Sequence, residues 1–289
     1  MNDRSPFIPP DITARKNAGL SHGPDYTLPQ PLSRYTPEDH ATWATLFARQ
    51  CALLPGRVCE AFLQGLERLH VPDDRVPDFA TLNRTLERLT GWQIVAVPGL
   101  IPDDVFFDHL AERRFPVTWW LREPSQLDYL QEPDVFHDLF GHVPLLADPV
   151  FADFLQGYGE AGRVARAAGL LGQLARLYWY TVEFGLMQTP MGLRIYGAGI
   201  VSSRAESVFC LESPAPLRLA FDADRVLRTR YRIDAFQDTY FVVESFDALF
   251  AAMPDLTARC ARAAALPELV PGVCIPGDQP VARSVNVSA

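Results

Sequence analysis

Two histidines and one glutamate carry the chemistry that this sequence can be read for. His137 and His142 stand in the run Glu132-Pro133-Asp134-Val135-Phe136-His137-Asp138-Leu139-Phe140-Gly141-His142-Val143-Pro144. Glu183 stands in Tyr178-Trp179-Tyr180-Thr181-Val182-Glu183-Phe184-Gly185-Leu186. An ionised carboxylate in so apolar a run is costly unless it is paired, hydrogen-bonded or bound to a cation. Two imidazoles and one carboxylate are a candidate facial triad for iron(II), which leaves coordination positions open for oxygen chemistry. The pattern reads as an oxygenase.

The spacing of the histidines makes a demand on local structure. Five residues apart on a regular α-helix they point about 140° away from one another, so helix geometry alone does not aim both at one ion. The sequence predicts that the helix stops between them. Gly141 precedes the second histidine and Pro144 follows it by two, which lets His142 swing toward His137. This is not the HExxH zinc signature, in which an i,i+4 pair shares one face and the intervening glutamate is the base; Asp138 follows the first histidine at the wrong spacing. A zinc hydrolase is the runner-up enzyme, and a helical binding protein with a structural metal is the non-catalytic alternative. Plainer accounts stand beside these: the histidines as helix caps, and Glu183 as the partner of a buried arginine.

The elements that must position these side chains are mostly helical. Thr36 is a good N-cap ahead of Pro37 and two acids, and Trp43, Leu46, Phe47, Leu53 and Leu54 recur at roughly helical spacing until Pro55-Gly56. Further helices are predicted over about 58–70, 78–90 (closed by Gly91), 102–110, 134–141, 148–168, 169–186, 202–210 and 245–264. Short strands are predicted at 92–97, 115–120, 218–221 and 231–233. Residues 1–35 contain Pro6, Pro9, Pro10, Pro24, Pro29 and Pro31, which predicts an extended arm lying on the body. Residues 36–266 then form a catalytic domain and 267–289 a tail. The predicted fold class is mainly α with a few short β-strands, one domain around a central metal site.

Composition narrows the partners. The formal charge is −9, from 26 basic and 35 acidic residues, and the longest basic run is Arg113-Arg114, so nucleic acid and anionic membrane are poor partners. Cys51, Cys59, Cys210, Cys260 and Cys274 match neither a zinc ribbon nor a CxxC redox pair and read as reduced, mostly packed thiols. There is no apolar signal segment, and no stretch near the roughly 20 apolar residues that span a bilayer. The expectation is a cytoplasmic protein.

Four blocks carry a resemblance: EPDVFHDLFGHVPLLADPVFADF (132–154), YWYTVEFGL (178–186), IYGAGIVSS (195–203) and FQDTYFVVESF (236–246). Through them the chain resembles the catalytic domain of the pterin-dependent aromatic amino acid hydroxylases over about 92–246, and it is most like the short bacterial members. The resemblance implies that family's catalytic-domain fold, with a non-haem iron(II) held by His137, His142 and Glu183 and a tetrahydropterin such as tetrahydrobiopterin beside it. It implies pterin contacts from the loop of Gly99, Leu100, Ile101 and Asp103, from a Phe106 ring stacked on the pterin, and from Ala175 and Tyr178. Asp138 stands where the family has a glutamate near the pterin. For the amino acid it implies Arg122 on the carboxylate, Asp134 holding that arginine, and Pro133, Trp179, Phe184, Gly199 and Ser202 around the ring and backbone. Leu130 replaces a threonine usual in the family.

Trp179 is typical of the phenylalanine and tyrosine hydroxylases, and Ile233 lies where the tyrosine enzymes place an aspartate. The resemblance therefore implies hydroxylation of L-phenylalanine to L-tyrosine with O2, the opening step of phenylalanine breakdown, ahead of tyrosine or tryptophan as substrate. Eukaryotic relatives add a regulatory domain in front and a tetramerisation helix behind. The arm before Thr36 is short and the end after about Leu266 lacks heptads, so a monomer is expected.

Overall fold

The computed structural model describes residues 12–128, 130 and 132–283. The proline-marked stretch expected to be extended contains α1 (Ile12–Asn17) and a 3-10 turn at Leu32–Arg34. No residue of α1 is buried, so no apolar periodicity announces it. It is tied down instead by Asn17, whose Nδ2 donates to the Pro98 carbonyl and whose Oδ1 accepts from Trp119 Nε1, both at 2.7 Å. The part of the expectation that concerns residues 1–11 lies outside the described residues.

Starters and apolar faces coincide in the helices that follow. α2 (Pro37–Leu53) opens with a reciprocal cap in which Thr36 and Asp39 each accept the other's backbone N–H, worth about 1 kcal/mol. Its Trp43, Leu46 and Gln50 face inward. α3 (Glu60–Leu69) and α4 (Phe79–Thr90) come next, the latter capped by Asp78 and closed by Gly91 at φ 76°. β1 (Gln93–Val97), α5 (Asp103–Ala111) and β2 (Arg114–Thr118) form a parallel β-α-β unit with Ile94 opposite Phe115. α6 (Pro149–Ala167) approaches α5 so closely that a Cβ on Gly162 would lie 2.0 Å from the Phe107 ring.

α7 (Leu171–Tyr178) precedes a hairpin of β3 (Leu186–Thr189) and β4 (Gly192–Ile195). Then come α8 (Ala198–Val201), α9 (Arg204–Glu212), β5 (Leu217–Ala220), α10 (Ala223–Arg228), β6 (Thr239–Val243), α11 (Phe246–Ala251) and α12 (Leu256–Ala264). The second sheet has the order β4-β3-β6-β5, with β6 paired in parallel on both sides and buried throughout. Among the described residues no helix is long and apolar enough to cross a membrane. All five cysteines are free, and Cys59, Cys210 and Cys260 are buried.

The departures from the sequence reading have local causes. Residues 231–233 are loop, not strand, because the side chain of Gln237 takes the carbonyls of Arg232 and Ala235. The helix expected over 245–264 is two helices, divided at Pro254 and the left-handed Asp255 (φ 58°), since proline excludes the helical conformation before it. The helix expected to reach 186 gives way to β3 at Leu186. α10 and the β3–β4 hairpin went unread. The largest departure is at the histidines, where the helix does not stop.

Candidate metal centre and substrate cavity

Both segments that carry the candidate metal ligands are π-helical. The chain runs through one π turn at Phe136–His142, then a 3-10 turn at Val143–Ala147, and α7 continues into a second π turn at Trp179–Glu183. In an i→i+5 helix, residues five apart come round to the same side, which an α-helix denies them. His137 and His142 thereby meet with ring centroids 5.1 Å apart. The expected helix break at Gly141 is thus replaced by a widened turn. Gly141 serves a different need: a Cβ there would lie 3.0 Å from the Ala198 carbonyl oxygen, and α8 carries that carbonyl. The turn is anchored to the core by Phe136, stacked on Phe140 at 4.7 Å, with Trp43, Phe47 and Phe62 packed edge-on to this pair.

Glu183 reaches across from the second π turn, whose closing bond runs from Phe184 N to the Trp179 carbonyl at 2.8 Å. Its Oε1 lies 3.2 Å from His142 Nε2 and its Oε2 lies 3.6 Å from His137 Nε2. The three donor atoms fall within 4.8 Å of one another, a possible metal site. Among the described residues no arginine or lysine pairs with Glu183. Burial pushes its carboxyl up, but the two imidazoles and the Gly199 N–H outweigh that and hold it below the usual glutamate value. A half-buried anion that, among the described residues, faces two imidazoles and no arginine or lysine suits a cation better than it suits an empty core.

A further contact orients the first ligand. Ser202 Oγ donates to the Ala198 carbonyl at 2.8 Å and lies 2.9 Å from His137 Nδ1. With the hydroxyl proton given to Ala198, a neutral His137 donates from Nδ1 to Ser202 and turns its Nε2 lone pair toward Glu183. The His142 ring packs 5.0 Å from Phe115 and 6.2 Å from Tyr178.

A cavity of about 1030 Å³ opens beside His137 and Glu183. Leu100, Arg122, Pro133, Trp179, Phe184, Gly199 and Ser202, all singled out from the sequence, line it. Arg122 is 7 % exposed and is gripped by fully buried Asp134. Asp134 Oδ2 accepts from Arg122 Nε at 2.7 Å and from its backbone N at 2.9 Å, while Oδ1 accepts from Arg122 Nη2 at 2.8 Å. The same Oδ1 takes the His137 N–H at 3.0 Å, so one carboxylate joins the arginine to the first metal-site histidine. Arg122 Nη1 has no hydrogen bond among the described residues.

The other residues singled out lie away from this cavity. The Phe106 ring meets Tyr178 edge-on at 5.5 Å, and Tyr178 in turn faces His142. Ala175 is one turn before Tyr178 on α7, and Asp103 opens α5. Gly99, at φ 154°, leads into exposed Leu100, which lines the cavity, and half-buried Ile101. Asp138 is buried against β2, where Oδ2 accepts the Thr118 N–H at 2.7 Å; burial raises its carboxyl although both imidazoles pull the other way. The cavity also takes in Gln237 and Glu206, which the sequence reading passed over. The one sequence signal was a glutamine shortly ahead of the apolar run Tyr240-Phe241-Val242-Val243.

An open-faced His/His/Glu site next to a cavity with an anchored arginine belongs to the non-haem metal oxygenase type. Comparison with known proteins agrees. The model of the biopterin-dependent aromatic amino acid hydroxylases matches residues 11–266, which includes α1. A phenylalanine-4-hydroxylase from Chromobacterium violaceum is 70% identical over 257 residues, covering 88% of this chain and 86% of the relative. One from Caulobacter vibrioides is 54% identical over 278 residues, 94% of this chain and 95% of the relative. The cobalt-bound crystal structure of the Chromobacterium violaceum phenylalanine hydroxylase superposes with a TM-score of 0.93 at 65% identity, covering 95% of this chain and all of that one. The chain belongs to the biopterin-dependent aromatic amino acid hydroxylase family.

Proposed function

We propose that this chain hydroxylates L-phenylalanine to L-tyrosine with O2 and a tetrahydropterin, at a non-haem iron(II) held by His137, His142 and Glu183. The observation that carries the reading is the junction at Asp134, which ties the cavity's arginine to the histidine turn through a single carboxylate. When bound, iron and tetrahydropterin supply the activated oxygen. The chain's own residues place the ring. Arg122 Nη1 takes the substrate carboxylate, Asp134 holds the guanidinium flat for that task, and Pro133, Trp179, Phe184 and Gly199 form an apolar berth from which water is excluded. Phe106 and Tyr178, with Gly99, Leu100, Ile101, Asp103, Asp138 and Ala175, make the pterin side.

Trp179 and Ile233 favour phenylalanine over the other aromatic amino acids. Supplying phenylalanine, tyrosine and tryptophan separately with iron and tetrahydropterin tests this: tyrosine formed from phenylalanine at the highest kcat/KM is expected, and a higher value for tryptophan overturns the substrate. Ser202→Ala removes the acceptor that fixes the His137 tautomer and is expected to weaken iron binding by roughly 10- to 100-fold, read by chelator competition. Residues 36–266 are proposed as one catalytic domain, cytoplasmic and monomeric; sizing in solution checks the last point.

A further inference from the structure

We infer that Gln237 is a positioning residue for the aromatic end of the substrate: its side-chain amide locks the Trp179 ring to the 231–236 loop and so sets which rings the cavity admits. The inference rests on Trp179 and Phe184 forming the ring pocket.

Gln237 is 4 % exposed and lies two residues before β6, an interior strand. Its N–H donates to Glu206 Oε1 at 3.3 Å, and the Tyr240 hydroxyl donates to the same oxygen. From that fixed base the amide reaches two ways. Oε1 accepts from Trp179 Nε1 at 2.9 Å, while Nε2 donates to the carbonyls of Arg232 at 3.0 Å and Ala235 at 3.2 Å. Indole nitrogen only donates and carbonyls only accept, so the amide has one workable orientation and both of its N–H groups are used.

The loop so held carries the cavity's rim. Tyr231 stacks on Trp179 at 4.4 Å with 16° between the planes, and Phe184 lies 4.7 Å from the same indole. Ile233 and Phe236 line the cavity although they are 73 % and 45 % exposed. Large apolar side chains this exposed do not hold a loop in place by burial. Among the described residues, Gln237 provides the hydrogen bonds that join this loop to Trp179. The ring pocket and its rim are therefore one rigid piece, with its shape set by an amide that touches none of His137, His142 and Glu183.

The test compares full-length Gln237→Leu and Gln237→Glu with the parent and with Trp179→Phe, each loaded with iron(II) and supplied with tetrahydropterin. Gln237→Leu cuts both ties. Gln237→Glu keeps an acceptor for the indole but turns an oxygen toward two carbonyls, so it releases the loop alone. The expected result is a fall of about tenfold or more in kcat/KM for phenylalanine. The ratio of tryptophan to phenylalanine turnover rises, while pterin KM and iron content stay as in the parent. The change in near-UV circular dichroism caused by Gln237→Leu should also be absent in the Trp179→Phe background, and the two substitutions should combine non-additively. Unaltered ring selectivity in both Gln237 variants, or strictly additive effects, overturns the inference. If Trp179→Phe alone leaves phenylalanine KM and selectivity untouched, the ring-pocket assignment itself is what fails.

Discussion

Glu183→Gln is expected to lose iron while keeping its helical spectrum. The carboxylate is the single anion in the donor set, and an amide of the same shape leaves a dication facing two neutral imidazoles. Because changes behind the ligands typically cost 10- to 100-fold in metal affinity, loss of a ligand charge should cost at least about 100-fold. The second π turn survives, since its closing bond is backbone to backbone, from Phe184 N to the Trp179 carbonyl. Anaerobic thermal melts give a readout free of turnover. Iron(II) or cobalt(II) at about 100 times the dissociation constant stabilises the parent by roughly 2.7 kcal/mol and should leave the variant unmoved. A metal-dependent rise in Tm equal to the parent's, with tyrosine still formed, would refute the assignment.

The second large effect concerns Arg122 and Asp134, and the two partners should fail differently. Arg122→Lys keeps a buried cation near Asp134 but loses the planar fork. A charge-assisted hydrogen bond contributes about 1.5–3 kcal/mol, so phenylalanine KM should rise on the order of tenfold to a hundredfold while pterin KM barely moves. Equal rises in both constants would count against Arg122 as the carboxylate site. Asp134→Ala instead strands a buried guanidinium and frees the His137 N–H, at a cost of about 3–5 kcal/mol in stability.

The pH dependence has a definite sign. Burial raises the Asp134 carboxyl, but the Arg122 charge and the hydrogen bonds from Arg122 and His137 more than reverse this, so it lies below the usual aspartate value. The stabilisation is therefore fully present above the unfolded value near 3.9 and is lost as pH falls through the lower folded value. Acid titration of Asp134→Asn should lack that contribution.

The residues of the site were legible because their chemistry is local. A glutamate among Trp179, Val182 and Phe184, and two histidines near a glycine and a proline, demand explanation whatever the fold. How they converge was not legible. Periodicity is read against 3.6 residues per turn, and against that ruler histidines five apart diverge. In the fold the ruler changes to an i→i+5 turn, with Gly141 sized for α8 and not for a helix end. α1 escaped for a related reason: a six-residue polar helix with no buried face has no pattern to find, and its place depends on Asn17 meeting Pro98 and Trp119, about 80 and 100 positions away. Gln237 was overlooked because a glutamine before an apolar strand looks like a surface residue until its three partners are brought round it.

The two widened turns make the centre sensitive to helix type as well as to composition. Each holds one residue more per hydrogen-bonded ring than an α-helical turn, so any change that let 136–142 relax into an ordinary α-helix at its present length would turn His137 and His142 about 140° apart with every ligand still present. The donors would then face different quarters, and a chain with an intact inventory would have nothing left to grip an ion.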